Sequence, residues 1–257
     1  MSYALVTGAG KGIGRSIVFE LAKRRYNMLL TDLPGEHLDQ TAEEIKKLYN
    51  VEANIFPLDL TTPNAPQKLF DWCVENSFQV SILVNNAGFG LSGSIQKYSV
   101  EECTNLLQLN VIATTQICRL FIPLLQKQFQ SYILNICSSS AYQAVPYLTL
   151  YSASKAYVLR FTRGLRHELS GTTISVTCLS PGPTDTDWVH RAQVNDKIMR
   201  MADRLNMTPQ QVASIAVNAM FKKRTEVITG FVNKFGAFLA WLLPNSFVEK
   251  TAGKYYK

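Results

Sequence analysis

The sequence predicts an α/β fold: a seven-stranded parallel sheet, doubly wound, with helices on both faces. Three observations lead there. Short β-branched or apolar runs alternate with amphipathic stretches for most of the chain. The runs are apolar nearly throughout, which marks strands covered on both faces and therefore parallel. No internal repeat, low-complexity tract or Pro/Gly/Ser-rich linker interrupts the rhythm, so residues 1–257 read as a single domain.

The elements follow in order. A strand at 2–6 runs straight into a glycine-rich turn and a helix at 13–25. A strand at 28–32 is followed by a helix at 36–49, and a strand at 53–58 by a helix at 64–76. The strand at 80–85 leads to a long helical stretch at 100–127, and the strand at 131–137 to a helix at 151–169. Strands at 173–179 and 226–229, with a helix at 209–222 between them, complete the alternation. Each strand–helix–strand unit is the local signature of a parallel crossover. Two segments break the pattern. Residues 183–208 are polar and lack a strand, and are expected to cap the substrate pocket as a lid; Asp187, Trp188, Val189, His190, Met199 and Met201 lie there, with His190 read as a surface residue. Residues 231–257 form an apolar, aromatic-rich C-terminal tail.

Composition narrows the function. The chain is 47% hydrophobic and 18% charged, as expected of a globular protein with a sizeable core. The net charge is +7, but Lys23-Arg24-Arg25 and Lys222-Lys223-Arg224 each close a helix-like stretch, where cations complement the helix dipole. A nucleic-acid partner is therefore not expected, and mild basicity suits a small anionic cofactor. Five cysteines, widely spaced and without a C-x-x-C pair, argue against a disulfide framework or a metal site. They read as reduced, small core residues. The chain opens directly on a strand, which leaves no room for a signal peptide, and Phe235–Leu243 is too short to span a bilayer. A cytoplasmic protein without a transmembrane segment is the expectation.

In open sheets of this kind ligands bind beyond the carboxyl ends of the strands. The first strand ends in Thr7-Gly8-Ala9-Gly10-Lys11-Gly12-Ile13-Gly14. Glycines permit a tight turn and let backbone N–H groups approach a pyrophosphate at the positive helix N-terminus. The second strand ends on Asp32, placed to meet adenosine ribose hydroxyls and to repel the extra phosphate of NADP. Lys11 pulls the other way, but Leu33 and Pro34, not an arginine, follow Asp32. NAD is favoured over NADP. At the other end of the site, Tyr151 and Lys155 share a helix face, so the ammonium lies beside the phenol and favours its ionised form. A tyrosine otherwise titrating near ~10 thereby moves towards the range in which a proton shuttle works. Ser138, at the end of the fifth strand, could donate to a substrate oxygen. Asn110 is an amide amid apolar helix neighbours and needs partners.

Taken together, Thr7-Gly8-x-x-x-Gly12-Ile13-Gly14, Asn85-Asn86-Ala87-Gly88, Asn110, Ser138, Tyr151-x-x-x-Lys155 and Pro181-Gly182-x-x-x-Thr186 occur in the order and spacing of the short-chain dehydrogenase/reductase family. The resemblance runs from residue 3 to about 230. It implies a Rossmann-type fold and a catalytic tetrad of Asn110, Ser138, Tyr151 and Lys155. It further implies a cofactor held by Gly8, Gly10, Lys11, Gly12, Ile13, Gly14 and Asp32, with Asp59 and Leu60 flanking the adenine. Asn86, Ala87 and Gly88 would line the ribose, Tyr151 and Lys155 would also touch the cofactor, and Pro181, Gly182, Thr184 and Thr186 would meet the carboxamide. Asn110 would hold a water that relays protons. Cys137 stands where many members carry serine; Ser138 keeps the family's spacing to Tyr151 and takes the catalytic assignment over Ser139 and Ser140.

The expected activity is hydride transfer between a nicotinamide cofactor and an alcohol or carbonyl substrate, without a metal. Two rivals stand against it: a dinucleotide-binding sensor or scaffold without turnover, and a sugar-nucleotide dehydratase or epimerase, whose usual substrate domain this short tail could not supply. Met and aromatic residues in 183–208 point to a small apolar substrate, and a homodimer or homotetramer is expected. In the tail, Phe231, Phe235, Phe238, Leu239, Leu242 and Leu243 recur at helical spacing before Pro244. Phe247, Val248, Tyr255 and Tyr256 follow, with Lys234, Lys250, Lys254 and Lys257 among them. Three roles fit: a helix completing the pocket, a subunit contact, or a peripheral membrane anchor. Packing against the pocket or a second subunit is favoured, because so many uncovered aromatics would promote aggregation.

Overall fold

The computed structural model describes residues 2–185 and 206–256. Seven strands form a parallel sheet: β1 (Tyr3–Thr7), β2 (Asn27–Thr31), β3 (Ala53–Ile55), β4 (Val80–Asn85), β5 (Ser131–Ile136), β6 (Ile174–Ser180) and β7 (Glu226–Ile228). Their spatial order is β3-β2-β1-β4-β5-β6-β7. The order reverses between β1 and β4, where a crevice opens at the carboxyl ends of the strands.

Both faces of the sheet are dry because successive strand residues point to opposite sides. Ala4 and Val6 of β1, with Met28 and Leu30 of β2, pack against α1 (Gly12–Ala22), α2 (Leu38–Tyr49) and, through Val212, Ala216 and Met220, α7 (Pro209–Phe221). Leu5 and Leu29 point the other way, towards α3 (Ala65–Glu75), α5 (Thr114–Gln126) and α6 (Thr149–Glu168), in a cluster with Leu69, Phe121 and Leu165. Each fully buried Leu, Ile or Phe in these two layers is worth about 1.5–3 kcal/mol, so the double covering is what holds the sheet.

The expected elements are present with shifted ends. β3 stops at Ile55, well short of residue 58, although Phe56 and Leu58 still donate backbone hydrogen bonds to Leu30 and Asp32. The stretch expected as one helix at 100–127 is α4 (Val100–Leu107), a π-helical segment at Gln108–Ala113, and α5. By length and composition Val100–Gln126 could cross a membrane, but Ile117, Cys118, Phe121 and Leu125 belong to the core. Four of the five cysteines are buried as expected; Cys103 is half-buried. Burial pushes the Cys73 and Cys118 thiols up to about 12, which leaves them as inert core residues. The tail folds into α8 (Phe231–Leu242) and α9 (Asn245–Tyr256). Of the segment expected to form a lid, residues 186–205 lie outside the described residues, and with them Thr186, Asp187, Trp188, Val189, His190, Met199 and Met201.

Candidate active site

A cleft of about 780 Å³ lies over the crevice. One end is built by the turn between β1 and α1. Gly8 has φ +66°, a left-handed conformation that a side chain would strain. A Cβ on Gly14 would lie 1.9 Å from the Gly8 carbonyl oxygen, and one on Gly10 would lie 1.6 Å from that of Glu36. These two glycines therefore serve close packing beneath the cleft, whereas Gly8, Lys11, Gly12 and Ile13 line it. Asn86 locks the turn from β4: its Nδ2 donates to the Thr7 and Gly8 carbonyls, both at 3.0 Å. The Thr7 hydroxyl returns the tie by accepting from the Asn86 and Ala87 amides, again at 3.0 Å.

The N-terminus of α1 has no side-chain cap and no acidic residue in its first turn. Its first N–H groups and the positive end of its dipole thus face the cleft and fit an anion such as a pyrophosphate. Beside it, Asp32 accepts hydrogen bonds from the Gly10 and Leu33 amides, both at 2.9 Å. Burial raises its carboxyl above the ordinary value, against the lowering effect of those two amides. Lys11 forms an ion pair with Glu36 at 2.9 Å. Asp59 and Leu60 line the same end, with the Asp59 carboxylate accepting from the Thr61 amide and hydroxyl at 2.8 and 2.7 Å.

The other end is carried by β5 and α6. Lys155 is only 5% exposed; its ammonium donates to the Ile136 carbonyl at 3.0 Å and sits 5.7 Å from the centroid of the Tyr151 ring. Desolvation lowers its pKa from the usual lysine value, partly opposed by Cys137 and Cys178. The Cys137 thiol donates to the Lys155 carbonyl at 3.0 Å, a second stitch between β5 and α6. Ser138 caps the short turn at Ser139–Tyr142, its hydroxyl oxygen accepting from the Ser140 amide at 3.2 Å and the Ser140 hydroxyl at 3.0 Å. Both lone pairs are so engaged, and among the described residues the Ser138 O–H is left to donate into the cleft. Ser138, Tyr151 and Lys155 all line it.

Asn110 does not line the cleft. It lies in the π-helical segment, 1% exposed, donating to the Phe89 carbonyl at 2.9 Å and the Ser154 hydroxyl at 3.0 Å, and accepting from the Phe89 amide at 3.1 Å. Ser154 in turn donates to the Tyr151 carbonyl at 2.7 Å. A Cβ on Gly88 would lie 2.9 Å from the Asn110 Oδ1 and 3.3 Å from the Lys155 Nζ, so only glycine leaves this corner open. Ala87, Gly88, Pro181, Gly182 and Thr184 line the cleft, while Thr186 lies outside the described residues. Glu36, Phe89 and Ser154 had no place in the sequence reading. Ser154, three residues after Tyr151 on its helix, carried a signal; Glu36 reaches Lys11 only because its loop folds back over Gly10. Among the described residues no three His, Cys, Asp or Glu side chains converge as metal ligands.

The fold and the cleft define a Rossmann-type α/β protein with a ligand cleft at the switch point of its sheet. A family model described as short chain dehydrogenase matches residues 2–197. An uncharacterized oxidoreductase of Staphylococcus saprophyticus is 34% identical over 223 residues, covering 84% of this chain and 94% of that protein. One from Staphylococcus aureus is 30% identical over 217 residues, with 84% and 90% covered. The chain belongs to the short-chain dehydrogenase/reductase family. Among solved structures, a short-chain dehydrogenase from Sphingobium yanoikuyae in complex with NADPH superposes with a TM-score of 0.82 at 25% identity, covering 93% of this chain and 92% of that one. One from Burkholderia phymatum in complex with NAD gives 0.83 at 24% identity with the same coverage.

Proposed function

We propose that the protein interconverts a secondary alcohol and a ketone, or a primary alcohol and an aldehyde, with NAD as the preferred hydride carrier and an apolar substrate. The observation that carries this reading is one cleft holding an uncapped helix N-terminus at one end and a buried Tyr151–Lys155 pair with Ser138 at the other. A bound nicotinamide dinucleotide supplies or accepts the hydride. Its pyrophosphate would lie at Gly12 and Ile13, its adenosine ribose at Asp32, and its nicotinamide end by Lys155 and the Pro181–Gly182 turn.

The protein's own groups handle the proton. Ser138 donates to the substrate oxygen and holds it in place, and Tyr151 gives that oxygen its proton in reduction or takes it in oxidation. Lys155, itself buried, holds positive charge beside the phenol, where a fixed charge acts more strongly than in water. Asn110 acts at one remove: its bonds to Phe89 and Ser154 set the wall behind Tyr151 and fix the π-helical segment, whose offset carbonyls suit a relaying water. Phe89, Leu109, Leu148 and Pro183 line the cleft, and Phe89 and Leu148 cluster with Tyr151, Leu106 and Val145, which supports an apolar substrate. NAD is supported by the Asp32 carboxylate and by the pairing of Lys11 with Glu36 and of Arg15 with Glu44, which balances two cleft-lining cations that would otherwise attract a ribose phosphate.

The test is the absorbance of the reduced nicotinamide on addition of a panel of ketones, aldehydes and alcohols. Wild type is expected to turn over apolar members. Tyr151→Phe, which keeps the ring and loses the proton, is expected to lose roughly 10²-fold or more in kcat with cofactor affinity little changed. Near-normal kcat in that variant would overturn the assignment.

A further inference from the structure

The tail inverts the usual logic of a surface helix. In α8 the side turned towards the protein carries small residues: Ala240 is buried, Ala237 is half-buried, and Asn233 donates to the Thr229 carbonyl at 2.8 Å. The opposite side carries large apolar ones, with Phe231 82% and Trp241 79% exposed and Phe235, Phe238 and Leu242 at least half exposed. Spaced at four, three and four residues, Phe231, Phe235, Phe238 and Leu242 make one stripe along the helix, flanked by Trp241 and the exposed Lys234. After the break at Leu243 and Pro244, Phe247 of α9 is exposed as well. A helix ordinarily turns such residues to the core. No residue of α8 or α9 lines the cleft, so the stripe does not complete the pocket.

Charge decides what covers it. Residues 231–257 carry four lysines against one acid, Glu249, in a chain of net charge +7. Two copies meeting through this face would bring like charges together around an apolar centre, whereas an anionic bilayer offers the opposite charge and an apolar layer beneath it. A short helix with aromatic and leucine side chains outward and a lysine at its flank is the form that lies in a membrane interface, the lysine stem reaching back to the headgroups. We propose that the outer face of α8, with Phe247, docks the protein on an anionic lipid surface as a peripheral contact. α8 packs on the turn at Gly182, since a Cβ there would overlap Asn233, and α9 places Ala252 in the cluster with Leu148 and Tyr151. Docking therefore sets the site-bearing loops next to the bilayer.

The test needs neither cofactor nor turnover, so it stands apart from the reading of the active site. The full-length protein is sedimented with vesicles of phosphatidylcholine alone and of phosphatidylcholine with phosphatidylglycerol. Binding is expected to the anionic vesicles, at least tenfold tighter than to the neutral ones, and to weaken in 0.5 M salt. Phe235→Glu combined with Trp241→Glu should remove that binding by tenfold or more, with the circular dichroism spectrum unchanged. Light scattering without lipid reports assembly in parallel. Absence of binding to anionic vesicles overturns the proposal. So does an oligomer that the double variant dissociates while vesicle binding is absent, which would assign the face to a second copy. Equal binding to both vesicle types would overturn the role given to the lysines.

Discussion

Lys155 shows how a single residue trades stability for chemistry. Burial lowers its pKa, so the folded protein holds that proton less tightly than the unfolded chain. The charged form therefore costs stability below the folded pKa, and the cost fades as pH rises from there towards the ordinary lysine value. Lys155→Met fills a similar volume without charge. It is expected to hold or raise Tm at neutral pH and to flatten the rise of stability with alkaline pH, while turnover falls roughly 10²-fold or more. Thermal melts across pH check this; a clear drop in Tm would mean that the bond to the Ile136 carbonyl outweighs desolvation. At Asp32 the balance concerns cofactor choice. Asp32→Ser with Leu33→Arg removes the repelling carboxylate and adds a phosphate partner. Because charged hydrogen bonds are worth about 1.5–3 kcal/mol, the NADP-to-NAD ratio of kcat/KM should rise by about tenfold or more. A wild type that already prefers NADP would reverse the reading of Lys11 against Asp32.

At the scale of elements, the β1–α1 turn is the tightest piece of backbone in the site. Gly14→Ala forces a methyl against the Gly8 carbonyl and the Asn86 side chain, and neither can retreat without opening the turn. A loss of about 1–3 kcal/mol of stability is expected. Weaker dinucleotide binding should accompany it, since the first N–H groups of α1 shift with the turn. Gly164, inside α6 with open space around its Cα, is the matched control: Gly164→Ala should stabilise by up to about 1 kcal/mol. Urea denaturation of the two variants side by side checks both signs. The helix between β4 and β5 carried a feature that apolar spacing could not announce. Its periodicity reads as one helix over 100–127, yet the segment at Gln108–Ala113 is π-helical. Pattern reports which face is apolar; the bonding of each turn depends on Asn110 finding Phe89 and Ser154, which come from other elements.

At the scale of the whole molecule, the tail backs the site without lining it. Truncation after Gly230 removes the cover over Gly182 and takes Ala252 from the cluster that backs Tyr151. The truncated protein is expected to melt at a lower temperature and to show raised KM for bulky apolar substrates with a smaller change in kcat. Steady-state kinetics on a small and a bulky ketone tests this, and identical KM values for both forms would detach the tail from the pocket. The tail was expected to pack against the pocket or a second subunit; α9 places Ala252 in the cluster with Tyr151, while α8 turns alanines inward and aromatics outward. Helical spacing identifies a stripe but not its direction when both sides are apolar.

Alternating apolar strands and amphipathic helices were enough to determine a doubly wound parallel sheet, because a strand apolar throughout must be covered on both faces. That the glycine turn, Asp32, Ser138, Tyr151 and Lys155 meet at one cleft was legible for a related reason: they fall at strand ends or at short spacings along one helix face. Tertiary structure alone decided that Gly10 and Gly14 pack beneath the cleft and do not line it, that Lys11 is paired to Glu36, and that Asn110 is engaged with Phe89 and Ser154. Those outcomes depend on which loops fold back onto which strand ends, and contacts between residues distant in sequence leave no period for a sequence to display.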